Sequence, residues 1–111
     1  MKIDVKPLSI NSAFQGRRFK TPRYKAYEIE VMLKLPKFKM PRAPYQIYLE
    51  FGMSSVLADW DNPIKLFVDI LQKRYLFDDR DIYRAVVVKT LVKKGHEFIK
   101  FKIEELEVGN E

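Results

Sequence analysis

The sequence of 111 residues contains no cysteine and a single histidine. Disulfide bonds and thiolate zinc sites are therefore excluded, and a histidine-based zinc site is not expected. The chain also has no apolar run of membrane-spanning length, no phosphate-binding glycine loop, and no apolar segment of signal-peptide type at its start. We expect a protein of the reducing cytoplasm, without a membrane partner or a small-molecule cofactor.

Negative charge is scarce in the first part of the chain. Residues 1–45 carry 11 Lys and Arg against 3 Asp and Glu, whereas residues 46–111 carry 10 against 12. The net charge is +6 and the hydrophobic fraction is 47%, which is typical of a globular domain. The asymmetry favours a basic surface for a polyanion beside a separate acidic site, although solubility alone would also explain it.

Hydrophobic periodicity predicts one α+β domain over residues 1–107, with a frayed tail at 108–111. The predicted order is β-α-β-α-β-β, with two helices and a mixed β-sheet. The last two strands are expected to form an antiparallel hairpin. The strands are predicted at residues 2–11, 45–53 and 82–92 and around 99–103, and the helices at 22–34 and from 63 onward.

The helix starts carry recognisable capping signals. Thr21 can cap the first helix, with Pro22 at its first position. Asp61 or Asn62 can cap the second helix, which Pro63 would open.

Aspartates gather in two clusters, "DWDNPIK" from Asp59 to Lys65 and "FDDRDI" from Phe77 to Ile82. If the second helix returns its loop to the sheet, three or four carboxylates would surround one point. Mg²⁺ or Mn²⁺ is held by such oxygen ligands and supports phosphodiester hydrolysis, with Lys65 offsetting developing negative charge. The alternatives are a helix cap, an exposed ion pair with Lys65, and a solvated loop.

The clusters together resemble the RusA-like family of Holliday junction resolvases. The resemblance rests on "DWDNPIK", on Asp69, on the pair at 78–79 and on the early "PLSINSAF" and "RRFKTPRYKAY". It implies a homodimeric, Mg²⁺-dependent endonuclease that cuts four-way DNA junctions by paired nicks, in a bacterium or a prophage. Arg80 and Asp81 depart from the small or neutral residues usual after the pair.

The resemblance also implies roles for individual residues. The catalytic carboxylates, which would hold the metal, fall on Asp59, Asp61 and Asp79, and the essential lysine falls on Lys65. Supporting positions are Asn62, Asp69 and Asp78. Two other functions stay open: a non-catalytic dimeric protein that binds branched DNA, and a metal nuclease acting on another branched nucleic acid.

A basic and aromatic segment from Phe14 to Tyr27 is the predicted DNA contact. Its cations can neutralise phosphates, and its aromatic rings can stack on unpaired bases. Tyr24 and Tyr27 are expected in the helix core instead. Trp60 could pack beneath the acidic site or touch DNA, and packing is the favoured expectation. The predicted DNA-binding residues are Asn11, Phe14, Arg17, Arg18, Lys20, Arg23 and Lys25.

Overall fold

A four-stranded mixed sheet with helices packed against it forms this single small α+β domain. The computed structural model describes residues 1–16 and 19–107. Arg17, Arg18 and the tail at 108–111 therefore lie outside the described residues. The elements are β1 (Lys2–Ile3), β2 (Phe14–Gln15), β3 (Phe19–Lys20), α1 (Pro22–Lys34), β4 (Tyr45–Met53), α2 (Ile64–Tyr75), β5 (Ile82–Leu91) and β6 (Phe98–Glu105).

Helix α1 confirms the prediction at both ends. The Thr21 hydroxyl accepts a hydrogen bond from the Tyr24 backbone N–H at 3.2 Å, which satisfies one of the free donors of the first turn. Pro22 occupies the first turn, where its missing N–H costs nothing. Tyr24 and Tyr27 are buried, as expected for the core face of this helix.

Strand β4 forms the centre of the sheet, and its alternation is confirmed. One face is buried through Tyr45, Ile47, Leu49, Phe51 and Met53. Helix α2 packs on this face, because the Phe67 ring meets Phe51 and, on β6, Phe101 edge-to-face at centroid distances of 6.1 and 5.6 Å.

The predicted hairpin between the last two strands is wrong. The sheet order is β1-β6-β4-β5, so β4 lies between β5 and β6 and pairs with both of them. Strand β5 runs parallel to β4, because the segment between them contains α2 and is long enough for a crossover. Residues 92–97 then carry the chain across the end of β4 to β6.

The first predicted strand is mostly wrong. Only Lys2 and Ile3 pair with β6, and the chain then leaves the sheet for a 3₁₀ turn at Ile10–Ser12. Pro7 lies within the predicted strand and has no N–H for a ladder. None of the helices in the described part of the chain is long and apolar enough to span a membrane.

Candidate metal and nucleic-acid site

The first aspartate cluster lies on the connection that leads from β4 into α2. Asp61 and Asn62 do not cap the helix, which corrects the prediction. The residue before α2 is Pro63, and none of the described side chains makes a capping hydrogen bond there. Asn62 instead donates its side-chain N–H to Asp59 Oδ2 at 3.3 Å. The side chains of Asp61 and Asn62 therefore do not stabilise the first turn of α2.

A groove of about 360 Å³ runs between α2 and β5 and brings both clusters to one surface. Asp61 and Lys65 enter it from the start of α2, and Asp79 enters it from the turn before β5. Parts of β4, α2 and β5 supply its apolar wall, formed by Ile47, Leu49, Ile64, Val68, Ile82 and Ala85. Two carboxylates and one ammonium group thus share an open groove that has an apolar wall.

The second cluster divides its aspartates between two tasks. The Asp78 carboxylate accepts the Arg80 backbone N–H at 3.0 Å and caps the 3₁₀ turn Asp79–Asp81. Arg80 also turns its guanidinium to Asp78, with Nε 3.5 Å from Oδ2. Arg80 is therefore paired with Asp78, and Asp79 lines the groove.

Lys65 is held by a carboxylate one turn further along α2. Its Nζ donates to Asp69 Oδ1 at 3.0 Å. The hydrogen bond and the charge of Asp69 raise the pKa of Lys65, and the charge of Asp79 adds to that rise. The ammonium group consequently stays protonated at neutral pH and faces the groove as a fixed positive charge.

Gln72 is a neighbour of this site that the sequence reasoning missed. Its Oε1 accepts the Asp79 backbone N–H at 2.8 Å, and its Nε2 lies 3.4 Å from Asp69 Oδ1. The signal was helical spacing, because residues 65, 69 and 72 fall on one face of a helix. A glutamine on that face does not draw notice until the turn before β5 is known to lie beside it.

Asp59 lies in the neighbouring cavity and does not line the groove. That cavity has a volume of about 390 Å³ and includes Asn11, Asn62 and Glu97 in its wall. Other members are Lys6, Pro7, Ser9, Met53, Ser54, Ser55, Leu57, Ala58 and Pro63. Within residues 1–16 and 19–107, no three acidic or histidine side chains approach closely enough to form a metal-holding group.

The groove nevertheless fits a magnesium ion in its donor chemistry. Mg²⁺ is usually bound in proteins by one or two carboxylates, and water and substrate phosphate complete its octahedron. Asp61 and Asp79 supply two carboxylates, and neither forms an ion pair with another described residue. Asp59 lies in the neighbouring cavity, where its carboxylate accepts the Asn62 side-chain N–H.

The predicted DNA-binding segment is partly tied down by contacts within the chain. Strands β2 and β3 form a short antiparallel hairpin, with Phe19 74% exposed. Phe14 packs edge-to-face on Tyr24 at 5.6 Å. Lys20 pairs with Glu28 at 3.2 Å, so its charge is partly used inside the domain.

The remaining members of this segment are open to solvent where the structure describes them. Arg23 and Lys25 are exposed near the start of α1, and exposed Asn11 lines the cavity beside Asp59. Trp60 is 56% exposed, so the expectation that it packs beneath the site is wrong. An exposed indole next to the carboxylates leaves an aromatic face available for stacking.

No protein-family model matches this chain, and no curated protein matches it significantly.

Proposed function

We propose that this chain is a Mg²⁺-dependent endonuclease that resolves four-way DNA junctions by paired symmetric nicks. The observation that carries the proposal is the groove in which Asp61, Lys65 and Asp79 meet. Asp61 and Asp79 are 18 residues apart in sequence, and the resemblance to the RusA-like resolvases requires their two clusters to act together.

Asp61 and Asp79 would hold the metal in this proposal, with Asp59 at the edge of the set. A bound Mg²⁺ would neutralise charge on the scissile phosphate and make a water molecule nucleophilic. Lys65 stays protonated beside Asp69 and would offset negative charge that develops on the phosphate. The apolar wall on one side of the groove would lower the local dielectric constant and so strengthen these interactions.

Branched DNA is the proposed substrate because exposed cations and exposed rings occur together. Arg23 and Lys25 would contact phosphates in a salt-dependent manner. Phe19 and Trp60 expose rings that could stack on bases unpaired at a branch point.

A second copy of the chain is the proposed partner, because two symmetric cuts require two sites related by a twofold axis. Strand β5 has ten residues and ends the sheet, so its outer edge is available for pairing. Antiparallel pairing of two β5 strands keeps both grooves on the same side of the joined sheet. The apolar centre of the strand, residues 85–88, would lie at the axis.

The dimer surface is tested by Val86→Lys, because a lysine on an edge strand disfavours pairing. We expect the wild type to sediment as a dimer and the variant as a monomer. The control, Leu33→Lys, changes an exposed side chain of α1 and should stay dimeric. A Val86→Lys protein that remains dimeric would exclude this edge.

The activity is tested with a labelled synthetic four-way junction and a linear duplex of matched sequence. Each is incubated with the wild type, with Asp61→Asn, and with Asp4→Asn, an exposed carboxylate outside the groove. Paired symmetric nicks on the junction, lost with EDTA and with Asp61→Asn but retained by Asp4→Asn, support the proposal.

Other outcomes favour the other functions. Junction binding by the wild type without cutting in Mg²⁺ or Mn²⁺ would leave a non-catalytic branched-DNA-binding protein. In that case Asp61→Asn should bind more tightly, because a charge that repels phosphate is removed. Metal-dependent cutting of flaps, forks or RNA, with the four-way junction left intact, would indicate another branched substrate.

A further inference from the structure

We propose that Gln72 is a positioning residue that fixes Asp79 relative to Lys65 across the groove. The inference rests on the proposed function, because it concerns residues that would hold and assist the metal. Gln72 touches neither substrate nor metal in this proposal and acts through its two neighbours.

One end of the Gln72 amide holds the backbone of Asp79. Gln72 Oε1 accepts the Asp79 N–H at 2.8 Å, and this N–H belongs to the first residue of a 3₁₀ turn. Leu76 follows the last residue of α2 in the left-handed conformation, with φ of 57°, and only Phe77 and Asp78 separate it from this turn. A bond from the helix side chain to the turn therefore sets where Asp79 lies beside α2.

The other end of the amide faces the partner of Lys65. Gln72 Nε2 lies 3.4 Å from Asp69 Oδ1 and 3.4 Å from the Val68 carbonyl oxygen, so its two hydrogens can serve both acceptors. Lys65 Nζ donates to the same Asp69 oxygen at 3.0 Å. One half-buried amide thus connects the second cluster to the carboxylate that holds the lysine.

Two features argue that the amide group itself is required. An amide accepts with one end and donates with the other, and this chain uses each end on a different part of the site. A glutamate at 72 would still accept from Asp79, but it would lose the donor and repel the Asp69 carboxylate. A methionine has similar length and keeps neither bond.

The experiment compares wild type with Gln72→Met, Gln72→Glu and a control. The matched control is Gln46→Met, because Gln46 also has a hydrogen-bonded side-chain amide, to Arg84 at 3.2 Å, and lies on the sheet face away from the groove. Mg²⁺ is titrated without DNA, and binding is followed through the backbone amide signals of Asp61 and Asp79. Proton exchange of the Asp79 amide is measured on the same metal-free samples.

In Gln72→Met we expect about tenfold weaker Mg²⁺ binding, because loss of a residue that orients a metal ligand commonly weakens metal affinity by about this factor. We also expect faster exchange of the Asp79 amide. Gln72→Glu should keep the slow exchange of the Asp79 amide, but it should lose the hydrogen bond to Asp69, the partner of Lys65. Gln46→Met should match the wild type in both measurements.

The inference is overturned if Gln72→Met exchanges its Asp79 amide at the wild-type rate, or if its Mg²⁺ affinity stays within twofold of wild type. A loss of thermal stability alone would mean that Gln72 only supports the fold. Failure of the proposed function looks different. In that case the backbone amide signals of Asp61 and Asp79 in the wild type do not change with Mg²⁺. The exchange rate of the Asp79 amide in Gln72→Met, compared with wild type, then decides whether Gln72 positions this residue.

Discussion

The two helices begin in different ways, although both starts carry good capping residues. At α1, Thr21 accepts the Tyr24 N–H and also donates its hydroxyl to the Ser12 carbonyl oxygen at 2.7 Å. At α2, Asp61 and Asn62 precede the helix, yet no described side chain caps it. At the start of α1 the polar side chain of Thr21 stabilises the fold, whereas at the start of α2 the Asp61 carboxylate makes no capping hydrogen bond.

The difference teaches how to interpret capping residues that do not cap. An aspartate or asparagine at a helix start is usually explained by a stabilisation of about 1 kcal/mol. That explanation fails at α2, where the carboxylates of Asp59 and Asp61 face cavities. The proposed metal site would account for these carboxylates, whereas helix capping does not.

The largest expected effect is on junction cutting, which should depend on Asp61 at the start of α2 and not on Thr21 at the start of α1. Asp61→Asn should lower junction cutting about a thousandfold, since metal charge stabilisation contributes several kcal/mol and each factor of ten corresponds to about 1.4 kcal/mol. Without Mg²⁺, its free energy of unfolding should change by less than about 0.5 kcal/mol, because the Asp61 side chain does not cap α2. Single-turnover cutting and urea unfolding measure the two quantities. A cost in stability as large as that of a lost cap would return Asp61 to a structural role.

The next effect is the stabilisation by metal. At ten times the dissociation constant, Mg²⁺ should raise the free energy of unfolding by about 1.4 kcal/mol, because it binds only the folded groove. Urea titrations with Mg²⁺ and with EDTA measure this increment. Asp61→Asn should lose it and Thr21→Ala should keep it. Equal increments in wild type and Asp61→Asn would contradict a metal site at the start of α2.

Removal of the cap at α1 should have a smaller and purely structural effect. Thr21→Ala is expected to cost about 1 kcal/mol of stability, because the Tyr24 N–H loses its acceptor. Cutting by the folded variant should match the wild type. Thr21→Ser keeps the hydroxyl and serves as the control in urea unfolding. A Thr21→Ala protein that is as stable as Thr21→Ser would show that the hydroxyl contributes nothing.

The smallest effect concerns an ion-pair cluster that joins the two helices. Burial raises the pKa of Glu28, but hydrogen bonds from Lys73 of α2 and from Lys20 outweigh it, and the pKa lies below its ordinary value. A lowered folded-state pKa means that the stabilisation is present at neutral pH and is lost as pH falls through that pKa.

Urea unfolding between pH 7 and pH 3 tests this dependence. Glu28→Gln should be less stable than wild type at pH 7 and should differ less from it in acid. The control is Glu30→Gln, because Glu30 pairs with Lys34 within α1 and does not reach α2. A constant difference between Glu28→Gln and wild type across the range would contradict the assignment.

Local signals predicted the parts of the fold that depend on neighbouring residues. Helix α1 and strand β4 have the predicted bounds, because a cap, a proline and hydrophobic periodicity all act within a few residues. The predicted strand at residues 2–11 was wrong beyond Ile3, and the hairpin of β5 with β6 was wrong in its partner. Alternation identifies a strand and carries no information on the strand it will join.

The candidate site follows the same division. The sequence predicted two acidic clusters with a lysine one turn beyond the first, and the groove contains Asp61, Lys65 and Asp79. It did not predict Gln72, because the role of this residue depends on the Asp79 backbone, seven positions away and beyond the end of a helix. It also could not separate Asp59 from the other two carboxylates, since residues two apart on an irregular segment have no fixed relative direction.

By itself the sequence determined the charge asymmetry, the chemical groups of the site, and the helix and strand whose signals are local. Only the tertiary structure decided that β4 separates β5 from β6, that none of the described side chains caps α2, and that one groove holds Asp61 and Asp79. The physical reason is range. Propensities and caps act over one turn of chain, whereas strand partners and shared cavities are set by apolar burial between segments that are distant in sequence.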